Sequence, residues 1–351
     1  MATDITKTVG TSSRDYSDIQ SALDDLPASL VTADERWIFD LYADSEFTPA
    51  GKLDDGGPTT DSTRYVWVRA ASGESFRDNA SVQTNALKYN ASNGVAVRQT
   101  ANFVATFDFS SNFARISGVQ AQTKVGASGV NSHAINTEND ALVENCLGHA
   151  DGTGAAIQLR DACVARNTIG IMTGGSGFPF RYPGSVGFTV EYYNCTAVAP
   201  SDNTTDESGF HSLNSSGTSS ATIKNCVSCG CTGGFTNDPT NCTGNNNATD
   251  DTSVGFGTSN QDGITYADQF EDVTDSAYDF RVKSGADLID VGATLSTEIP
   301  DEDDIAATAR PSGSSWDIGC WEFVQAGGGF IPYPHPRGLN AGMLDMSGGL
   351  Q

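Results

Sequence analysis

A short phrase of apolar and polar residues returns four times between residues 113 and 242. In each copy an apolar β-former is followed two to four residues later by Asn, and then by Cys or Thr. The copies are Val143–Cys146, Val164–Thr168, Val190–Cys195 and Ile223–Cys226. The asparagines are 22, 27 and 31 residues apart. This variable spacing is typical of a coil whose turns carry loops of different length, and not of a leucine-rich or propeller repeat.

The phrases predict parallel strands that stack turn upon turn. Each strand of four to six residues is followed by Gly, Asn, Ser or Asp, which tolerate left-handed corners. No helix-length segment separates the phrases, so βαβ crossovers are excluded. Equivalent positions would then lie about 4.8 Å apart, which allows an amide ladder of asparagines and a column of buried thiols. These structural ladders comprise Asn145, Asn167, Asn194 and Asn225, with Cys146, Cys195 and Cys226.

The segment before the repeats predicts one short amphipathic helix. Ile19, Leu23 and Leu26 have helical spacing. Ser17 is in place as an N-cap and Pro27 as a stop.

These features resemble the pectin-lyase-like right-handed parallel β-helix superfamily, of the kind found in bacteriophage virion proteins. Thr8–Leu23 is similar to the opening segment of such proteins. Asp279–Gly292 and Trp316–Phe323 resemble their closing segment, although the usual run of residues is changed at Cys320 and Trp321. The resemblance implies a right-handed coil whose open end is covered by the N-terminal helix. It is specific for fold and unspecific for activity.

The expected fold is therefore all-β: a single-stranded right-handed parallel β-helix, or solenoid, with an N-terminal capping helix and an extended C-terminal arm. We divide the chain into an entry strand and cap helix (1–35), the β-helix (36–270), a closing β-segment (271–323) and a Gly/Pro-rich arm (324–351).

Several polar or Gly-rich stretches are interpreted as loops. Thr173–Val186 and Ala199–Asn214 are taken as two excursions from the coil, and Thr243–Asn260 as a loose final turn. The acidic run Glu298–Asp304 is expected in a surface loop.

Charge and hydropathy restrict the partners. Nineteen basic and 44 acidic residues give a net charge of −25, so binding to nucleic acid through phosphate neutralisation is excluded. No secretory signal follows Met1 and no apolar run is long enough to span a membrane. The sequence predicts synthesis in the host cytoplasm, no membrane contact and a final location in the virion.

Four cysteines close together raise the question of a zinc site. Cys226, Cys229, Cys231 and Cys242 lack a matching ligand pair or a His at ligand spacing. Unpaired, stacked thiols are favoured over a metal, and a disulfide is intermediate between the two. We predict no metal and no cofactor.

The C-terminal arm combines a glycine hinge, alternate prolines and apolar residues. Prolines at alternate positions cannot form a sheet ladder and favour polyproline II. The apolar content is too high for a plain disordered tail, so we expect the arm to bind other virion proteins of the capsid or tail. Its contact residues are Phe330, Ile331, Pro332, Tyr333, Pro334, Pro336, Leu339, Met343, Leu344 and Met346.

No catalytic motif is evident. The strongest of the weak candidates is the group Asp202, Asp206, Glu207 and His211, with Arg181 facing it. Two carboxylates could act as acid and base or bind calcium, but a solvated acidic loop is favoured because acidic residues are common in this chain. A weaker second cluster consists of Asp140, Glu144 and Asp161.

Five aromatic residues offer a second kind of site. Phe178, Phe180, Tyr182, Tyr192 and Tyr193 could stack on a host-surface glycan, but packing in the core or between subunits explains them more readily.

Two classes of function remain. The favoured one is a structural protein of a bacteriophage-like virion: a head-surface decoration or a spike or fibre subunit, attached by its C-terminal arm and forming a homo-oligomer, expected to be a trimer. The alternative is a carbohydrate-active β-helix enzyme, a polysaccharide lyase or glycoside hydrolase, either free or as a tailspike depolymerase.

Overall fold

A computed structural model describes residues 2–126, 131–174, 176–182, 187–200, 208–213, 220–275 and 277–325. Its short helices are α1 (Ile19–Leu23), α2 (Leu30–Ala33) and α3 (Tyr266–Gln269), with 3₁₀ turns at Phe76–Asp78 and Pro239–Asn241. Within these ranges no helix approaches the roughly 20 residues needed to cross a bilayer. The predicted arm contacts, Phe330 to Met346, lie outside the described residues.

Strands make up most of the regular structure. They are β1 (Thr3–Val9), β2 (Glu35–Leu41), β3 (Leu53–Asp54), β4 (Val66–Ala70), β5 (Ala96–Arg98), β6 (Phe107–Phe109), β7 (Arg115–Ser117), β8 (Gln120–Gln122), β9 (Ile135–Thr137), β10 (Leu142–Glu144), β11 (Leu147–Ala150), β12 (Ala155–Leu159), β13 (Val164–Arg166), β14 (Ile169–Met172), β15 (Phe178–Tyr182), β16 (Thr189–Tyr193), β17 (Thr196–Val198), β18 (Phe210–Ser212), β19 (Ser220–Lys224), β20 (Val227–Cys229), β21 (Cys242–Asn245), β22 (Ala248–Thr249), β23 (Gln261–Asp262), β24 (Phe270–Asp272) and β25 (Asp279–Val282).

The strands form three parallel sheets wound as a right-handed parallel β-helix. From β4 to β18, each turn of the coil gives one strand to each sheet. The nine-stranded sheet has the order β1-β2-β4-β7-β10-β13-β16-β19-β21, the eight-stranded sheet β23-β22-β20-β17-β14-β11-β8-β5, and the six-stranded sheet β18-β15-β12-β9-β6-β3. Among the strands of the described residues, only β24 and β25 pair antiparallel. The all-β, parallel β-helix part of the expected fold class is confirmed, whereas the capping role of the N-terminal helix and the C-terminal arm stay predictions.

Inward side chains stack in columns along the coil axis. In the six-stranded sheet Phe180 and Phe210 are in register. Their rings, and then that of Phe235, stack with centroids 4.9 Å apart at each step. This distance is close to the spacing of paired strands, about 4.8 Å. The sheet spacing therefore sets the aromatic contacts of the core.

The repeated asparagines occupy the corner between the nine-stranded and eight-stranded sheets. Asn145, Asn167, Asn194 and Asn225 have φ angles of 54°, 47°, 49° and 52°. Each follows a residue that pairs in register with its equivalent on the next turn. Asn tolerates this left-handed conformation better than most residues, which explains its recurrence. We call these residues, with Asn246 at φ 52°, the asparagine column.

The side chains of this column do not form the expected amide ladder. Instead, Asn167 Nδ2 donates to the carbonyl of Asp303 at 2.7 Å, and Asn246 Nδ2 to that of Val291 at 2.8 Å. Asn225 makes a two-way pair, because its Nδ2 donates to Ala293 O at 2.7 Å and its Oδ1 accepts from Ala293 N at 2.8 Å. The amides bind the main chain of the closing segment, which the repeats alone could not indicate.

The predicted cysteine ladder positions lie beside the asparagines and are fully buried. Cys146, Cys195 and Cys226 have no exposed surface. The main-chain N–H of Cys195 donates to Cys226 Sγ at 3.3 Å. Burial raises the pKa of the Cys146 thiol to about 12, so this thiol is protonated and unreactive at neutral pH.

The closing segment, residues 271–323, covers the outer face of the eight-stranded sheet. Outward residues of that sheet such as Ile169 and Val227 form one buried cluster with Phe280, Ile318 and Trp321. A smaller cluster lies against the nine-stranded sheet and consists of Tyr193, Leu295, Ile299 and Trp316. Two of the three sheets are thus covered, at least in part, on their outer faces.

A buried ion pair fixes the end of the closing segment. Arg310 and Glu322 are 3.0 Å apart with both side chains fully buried. Arg310 also donates to the carbonyls of Asp317 and Gly319. Gly319 N–H in turn donates to Asn225 O at 2.8 Å, so the pair holds the segment against the coil.

The N-terminal helix α1 buries Ile19 and Leu23 in the main core. Its N-cap is Asp18, whose side chain accepts from Ser21 N; the predicted N-cap, Ser17, is wrong by one residue. That the helix closes the end of the coil stays a prediction.

Three interpreted loops contain strands of the coil. β15 lies within Thr173–Val186, β18 within Ala199–Asn214, and β21 and β22 within Thr243–Asn260. In β15 the alternation of Phe178, Phe180 and Tyr182 with Pro179 and Arg181 is a strand pattern that the surrounding Gly and Pro concealed.

The acidic run is not a simple surface loop. Asp303 forms an ion pair with Arg77 at 2.7 Å. Asp304 is fully buried and accepts hydrogen bonds from the N–H groups of Ala306, Thr308 and Glu322. Main-chain donors stabilise a carboxylate that composition had assigned to the surface.

We predict that Glu322→Gln lowers the free energy of unfolding by about 3 kcal/mol or more, because it leaves Arg310 buried without a counter-charge. Burial raises the pKa of Glu322 to about 7, against the opposing effect of Arg310, so urea denaturation should be measured at pH 8.5. The control is Asp268→Asn, since Asp268 is 68% exposed and 3.5 Å from Lys283. Its expected cost is under about 1 kcal/mol. Equal costs for the two variants would contradict the proposed role of the pair.

Candidate functional site

The outer face of the six-stranded sheet differs from the other two faces. One outward register position is polar on six successive strands. No member of this set belongs to an apolar cluster of the described residues. We call it the polar column: Asp54, Asp108, Asn136, Gln158, Arg181 and His211.

Hydrogen bonds link the first four members. Lys52 Nζ lies 2.8 Å from Asp54 Oδ2 and 2.9 Å from Asp108 Oδ2, and these contacts raise the pKa of Lys52. Asn136 donates to Asp108 at 2.6 Å, and the side-chain amides of Asn136 and Gln158 are in hydrogen-bond contact at 2.7 Å. The two carboxylates therefore share one ammonium group, and the amides extend the network along the sheet.

The other end of the column is aromatic and weakly basic. Arg181 and His211 are neighbours in register. The His211 ring lies 4.0 Å from the ring of Phe178, centroid to centroid. Burial, assisted by the Arg181 charge, lowers the pKa of His211 to about 4, so its imidazole is neutral at pH 7.

A cavity of about 480 Å³ opens beside the column and is lined by Asp108, Asn136, His133, Arg160 and Phe103, among others. Arg160 forms an ion pair with Glu138 at 2.8 Å. Phe103 is 62% exposed and has a φ of 61°, which is rare for a bulky residue. An exposed phenyl ring at the rim of a polar cavity provides an apolar face for a ligand.

The predicted catalytic group is only partly within the described residues. Asp202, Asp206 and Glu207 lie outside them. His211 is described, but in strand β18 and not in an acidic loop, and it is adjacent to Arg181 as expected.

The second acidic cluster is not brought together as one site. Asp140 and Asp161 are stacked at a corner, where Asp140 N–H donates to Asp161 O. Glu144 instead forms an ion pair with Arg166 at 2.6 Å.

Most of the predicted glycan-stacking aromatics are in the core. Phe180, Tyr182 and Tyr192 have no exposed surface, Tyr193 is 6% exposed and Phe178 is 9% exposed. Three of them therefore cannot stack on a glycan, and core packing explains them. Phe103 was missed because the run from Phe103 to Phe109 has the apolar character of one continuous strand, whereas β6 begins only at Phe107.

Within the described ranges, no three His, Cys, Asp or Glu side chains are grouped as metal ligands. Calcium binding by the carboxylates near 202–207 stays a prediction. The four cysteines considered for zinc are buried free thiols. Burial raises the pKa of Cys231 to about 12, which disfavours the thiolate that a metal requires.

The described carboxylates beside the cavity are engaged in other contacts. Asp108 contacts Lys52 and Asn136, and Glu138 contacts Arg160. The arrangement presents many donors and acceptors of hydrogen bonds but no obvious acid–base pair among these residues. It is suited to binding a hydroxyl-rich ligand.

Sequence reasoning missed Asn136 and Gln158 in this site, although a signal exists. On successive turns one polar residue stands between two inward residues, as in Phe107-Asp108-Phe109, Ile135-Asn136-Thr137 and Ile157-Gln158-Leu159. Aligning the turns on these triplets would have located the polar column.

Comparison with known proteins gives distant similarity only. No family model and no curated protein matches the chain. Among solved structures, pectate lyase Pel9A is similar with 14% identity, covering 92% of this chain and 97% of that chain at a TM-score of 0.47. Pectin methylesterase from Aspergillus niger, in a penultimately deglycosylated form, has 13% identity, coverage of 84% and 93%, and a TM-score of 0.40. No activity is carried over to this chain from similarities at this level.

We predict that His133 makes stability fall in mild acid. His133 is 3% exposed, and burial, with the charges of Arg181 and Arg160, lowers its pKa from 6.5 to about 3. The unfolded chain takes up the proton below pH 6.5 and the native protein does not. This contribution to stability is therefore present at neutral pH and is lost as the pH falls from about 6.5 toward 3.

Between pH 8 and pH 5 the native protein should lose about 2 kcal/mol more unfolding free energy than His133→Gln. Urea denaturation of both proteins at the two pH values measures these losses. Subtracting one loss from the other cancels the contributions of the other titrating groups, which the two proteins share. Identical losses in both proteins would show that His133 protonates normally.

Proposed function

We propose that this protein binds a polysaccharide along the outer face of the six-stranded sheet. The observation that supports this most is the polar column itself: six successive strands present a polar side chain at one outward position, on a sheet face without an apolar cluster of described residues. A regular row of hydrogen-bonding groups about 4.8 Å apart suits a long ligand with repeating units.

The charges of the column favour a neutral or weakly charged polymer. Lys52 is balanced by Asp54 and Asp108, Arg160 is paired with Glu138, and His211 is neutral at pH 7 because its pKa is about 4. The whole chain carries −25 and would repel a strongly anionic polymer. Hydroxyl groups can both donate to Asp108 and accept from Asn136, Gln158 or Arg181.

The alternative of a polysaccharide-cleaving enzyme shares this surface. Residues 201–207, which include Asp202, Asp206 and Glu207, join β17 to β18, and β18 carries His211 of the polar column. The described part of the column supports binding and supplies no acid–base pair, so binding without cleavage is the proposal we prefer.

The role as a structural subunit of a bacteriophage-like particle also remains a proposal. It is supported by the sequence of residues 324–351, whose apolar and proline content suits an attachment segment. In this proposal the coil displays the glycan-binding face while the C-terminal segment joins the particle.

We predict that Phe103→Ala weakens glycan binding about fivefold, because stacking of an apolar sugar face on an aromatic ring contributes on the order of 1 kcal/mol. Neutral and anionic polysaccharides would be screened on a glycan array, and the tightest ligand titrated by calorimetry. The matched control is Phe188→Ala, since Phe188 is 47% exposed and does not line the cavity.

An unchanged affinity in Phe103→Ala, or an equal loss in both variants, would contradict this location for the site. No binding to any polysaccharide would contradict the function. Assaying the same mixtures for new reducing ends or unsaturated products separates binding from cleavage, and we expect no release.

We also predict that removing residues 327–351 leaves the coil folded and abolishes its incorporation into particles. The segment lies beyond the buried ion pair of Arg310 and Glu322 that fixes the closing segment. Thermal unfolding tests folding, and sedimentation with purified particles tests incorporation. Incorporation at the full-length level would contradict the attachment role.

A further inference from the structure

A second cavity, of about 790 Å³, lies on a different face of the coil. It opens between the nine-stranded sheet and the closing segment. Its floor includes Trp67, Ser117, Glu144 and Asn145, and Pro300, Asp301 and Asp303 line it from the closing segment. The residues of the polar column do not line it.

The asparagine column explains why the cavity is there. The closing segment covers Asn246, Asn225 and Asn167, and its main-chain carbonyls accept from their side-chain amides at 2.7–2.8 Å. Two turns before Asn167, toward the N-terminus, Gly118 occupies the equivalent corner. Ser75 covers this corner, and its Oγ donates to Gly118 O at 2.7 Å. The turn between them, at Asn145, is covered by neither segment.

Asn145 is buried but lacks the partner that its equivalents have. It is 8% exposed and lines the cavity. Its Oδ1 has no hydrogen-bond partner among the described residues, which is also true of Asn167, but its Nδ2 lacks the main-chain carbonyl that the Nδ2 groups of Asn167, Asn225 and Asn246 contact. Asn194 also lacks partners, but it is fully buried and is not among the cavity residues. A buried amide without partners costs about 1–3 kcal/mol, so a ligand that satisfies Asn145 would be favoured.

We propose that this cavity binds an extended peptide, and that its occupant in the isolated protein is residues 330–337 of the same chain. Asn145 Nδ2 donates to a main-chain carbonyl of that segment, as Asn167 Nδ2 donates to Asp303 O. The site is thus a main-chain recognition site built from the same residue type that holds the closing segment.

The segment is close enough to reach the cavity. Glu322 N–H donates to Asp304 Oδ2 at 2.8 Å, and the adjacent Asp303 lines the cavity. The seven residues 323–329 span up to about 23–25 Å when extended. Attachment to the same chain gives the segment an effective concentration in the millimolar range.

The chemistry of the cavity also matches this segment. Four carboxylates line it, from Asp78, Glu144, Asp301 and Asp303, against two guanidinium groups, from Arg69 and Arg77. Glu144 is paired with Arg166, Asp303 with Arg77, and Arg69 with Asp40, so Asp301 supplies a negative charge that none of these pairs neutralises. This charge favours a cationic side chain, and residues 330–337 contain Arg337. The Arg69 guanidinium lies over the Trp67 ring, 4.5 Å from its centroid, so Trp67 offers its remaining surface to the alternate prolines, whose sequence favours the polyproline II conformation that aromatic grooves bind.

The test uses the full-length protein with the photocrosslinker p-benzoylphenylalanine in place of Tyr333. After irradiation, mass spectrometry identifies the residues joined to position 333. Equal amounts of ¹⁴N and ¹⁵N chains distinguish crosslinks within one chain from crosslinks between chains. We expect intrachain crosslinks to peptides that contain Trp67, Ser117 or Asp301.

Asn145→Gly should lower the yield of these crosslinks at least fivefold without unfolding the protein, because Gly118 already occupies the equivalent corner at φ 70°. The matched control is Asn225→Gly, which removes the pair with Ala293 on a different turn. It should lower the melting temperature and leave the crosslink yield unchanged.

Crosslinks confined to other surfaces, crosslinks between chains, or a yield insensitive to Asn145→Gly in a folded protein would each overturn the proposal. A lower yield in Asn145→Gly together with an unchanged yield in Asn225→Gly would support it.

Discussion

The whole structure depends on one backbone constraint: the chain must change direction within a single residue each time it leaves the nine-stranded sheet. Asn145, Asn167, Asn194 and Asn225 meet this constraint with φ angles near 50°. Because each corner is the same, each following strand begins at an equivalent height. The parallel pairing, the buried thiols and the aromatic stack all follow from that regularity.

A stacked coil has three outer faces, and each must be compatible with water or covered. Here the eight-stranded sheet is apolar on its outer face as well as its inner face, so it requires the closing segment. The buried Arg310 and the asparagine amides then hold that segment in place. The six-stranded sheet has a polar outer face, which leaves it available for ligands without a cost in exposed apolar surface.

The sequence predicted what depends on local geometry. The corner asparagines recur because their conformation restricts residue choice, and the strands recur because alternation is a local property. It did not predict the partners of the asparagine side chains, because these lie about 70 to 140 residues away in the closing segment. Composition was misleading in two places. Gly and Pro hid strand β15. The acidic run hid Asp304, whose carboxylate accepts from the N–H groups of Ala306, Thr308 and Glu322, contacts that only the local fold of the closing segment produces. Predicting the polar column requires knowing which residues of successive strands are in register. Loops of unequal length obscure that register in the sequence until the turns are aligned.

The eight buried cysteines have one more consequence. They are distributed from Cys146 to Cys320 along the coil and the closing segment, and none is paired in a disulfide. In the folded chain six of them have no exposed surface, and Cys231 and Cys242 are each 7% exposed. Burial also raises the pKa of Cys163 to about 12, which suppresses the reactive thiolate. An alkylating reagent can therefore modify a fully buried cysteine only when the turn of the coil that contains it unfolds locally. The protein thus contains natural probes of local opening, so the order in which the coil frays can be read from which cysteine is labelled first.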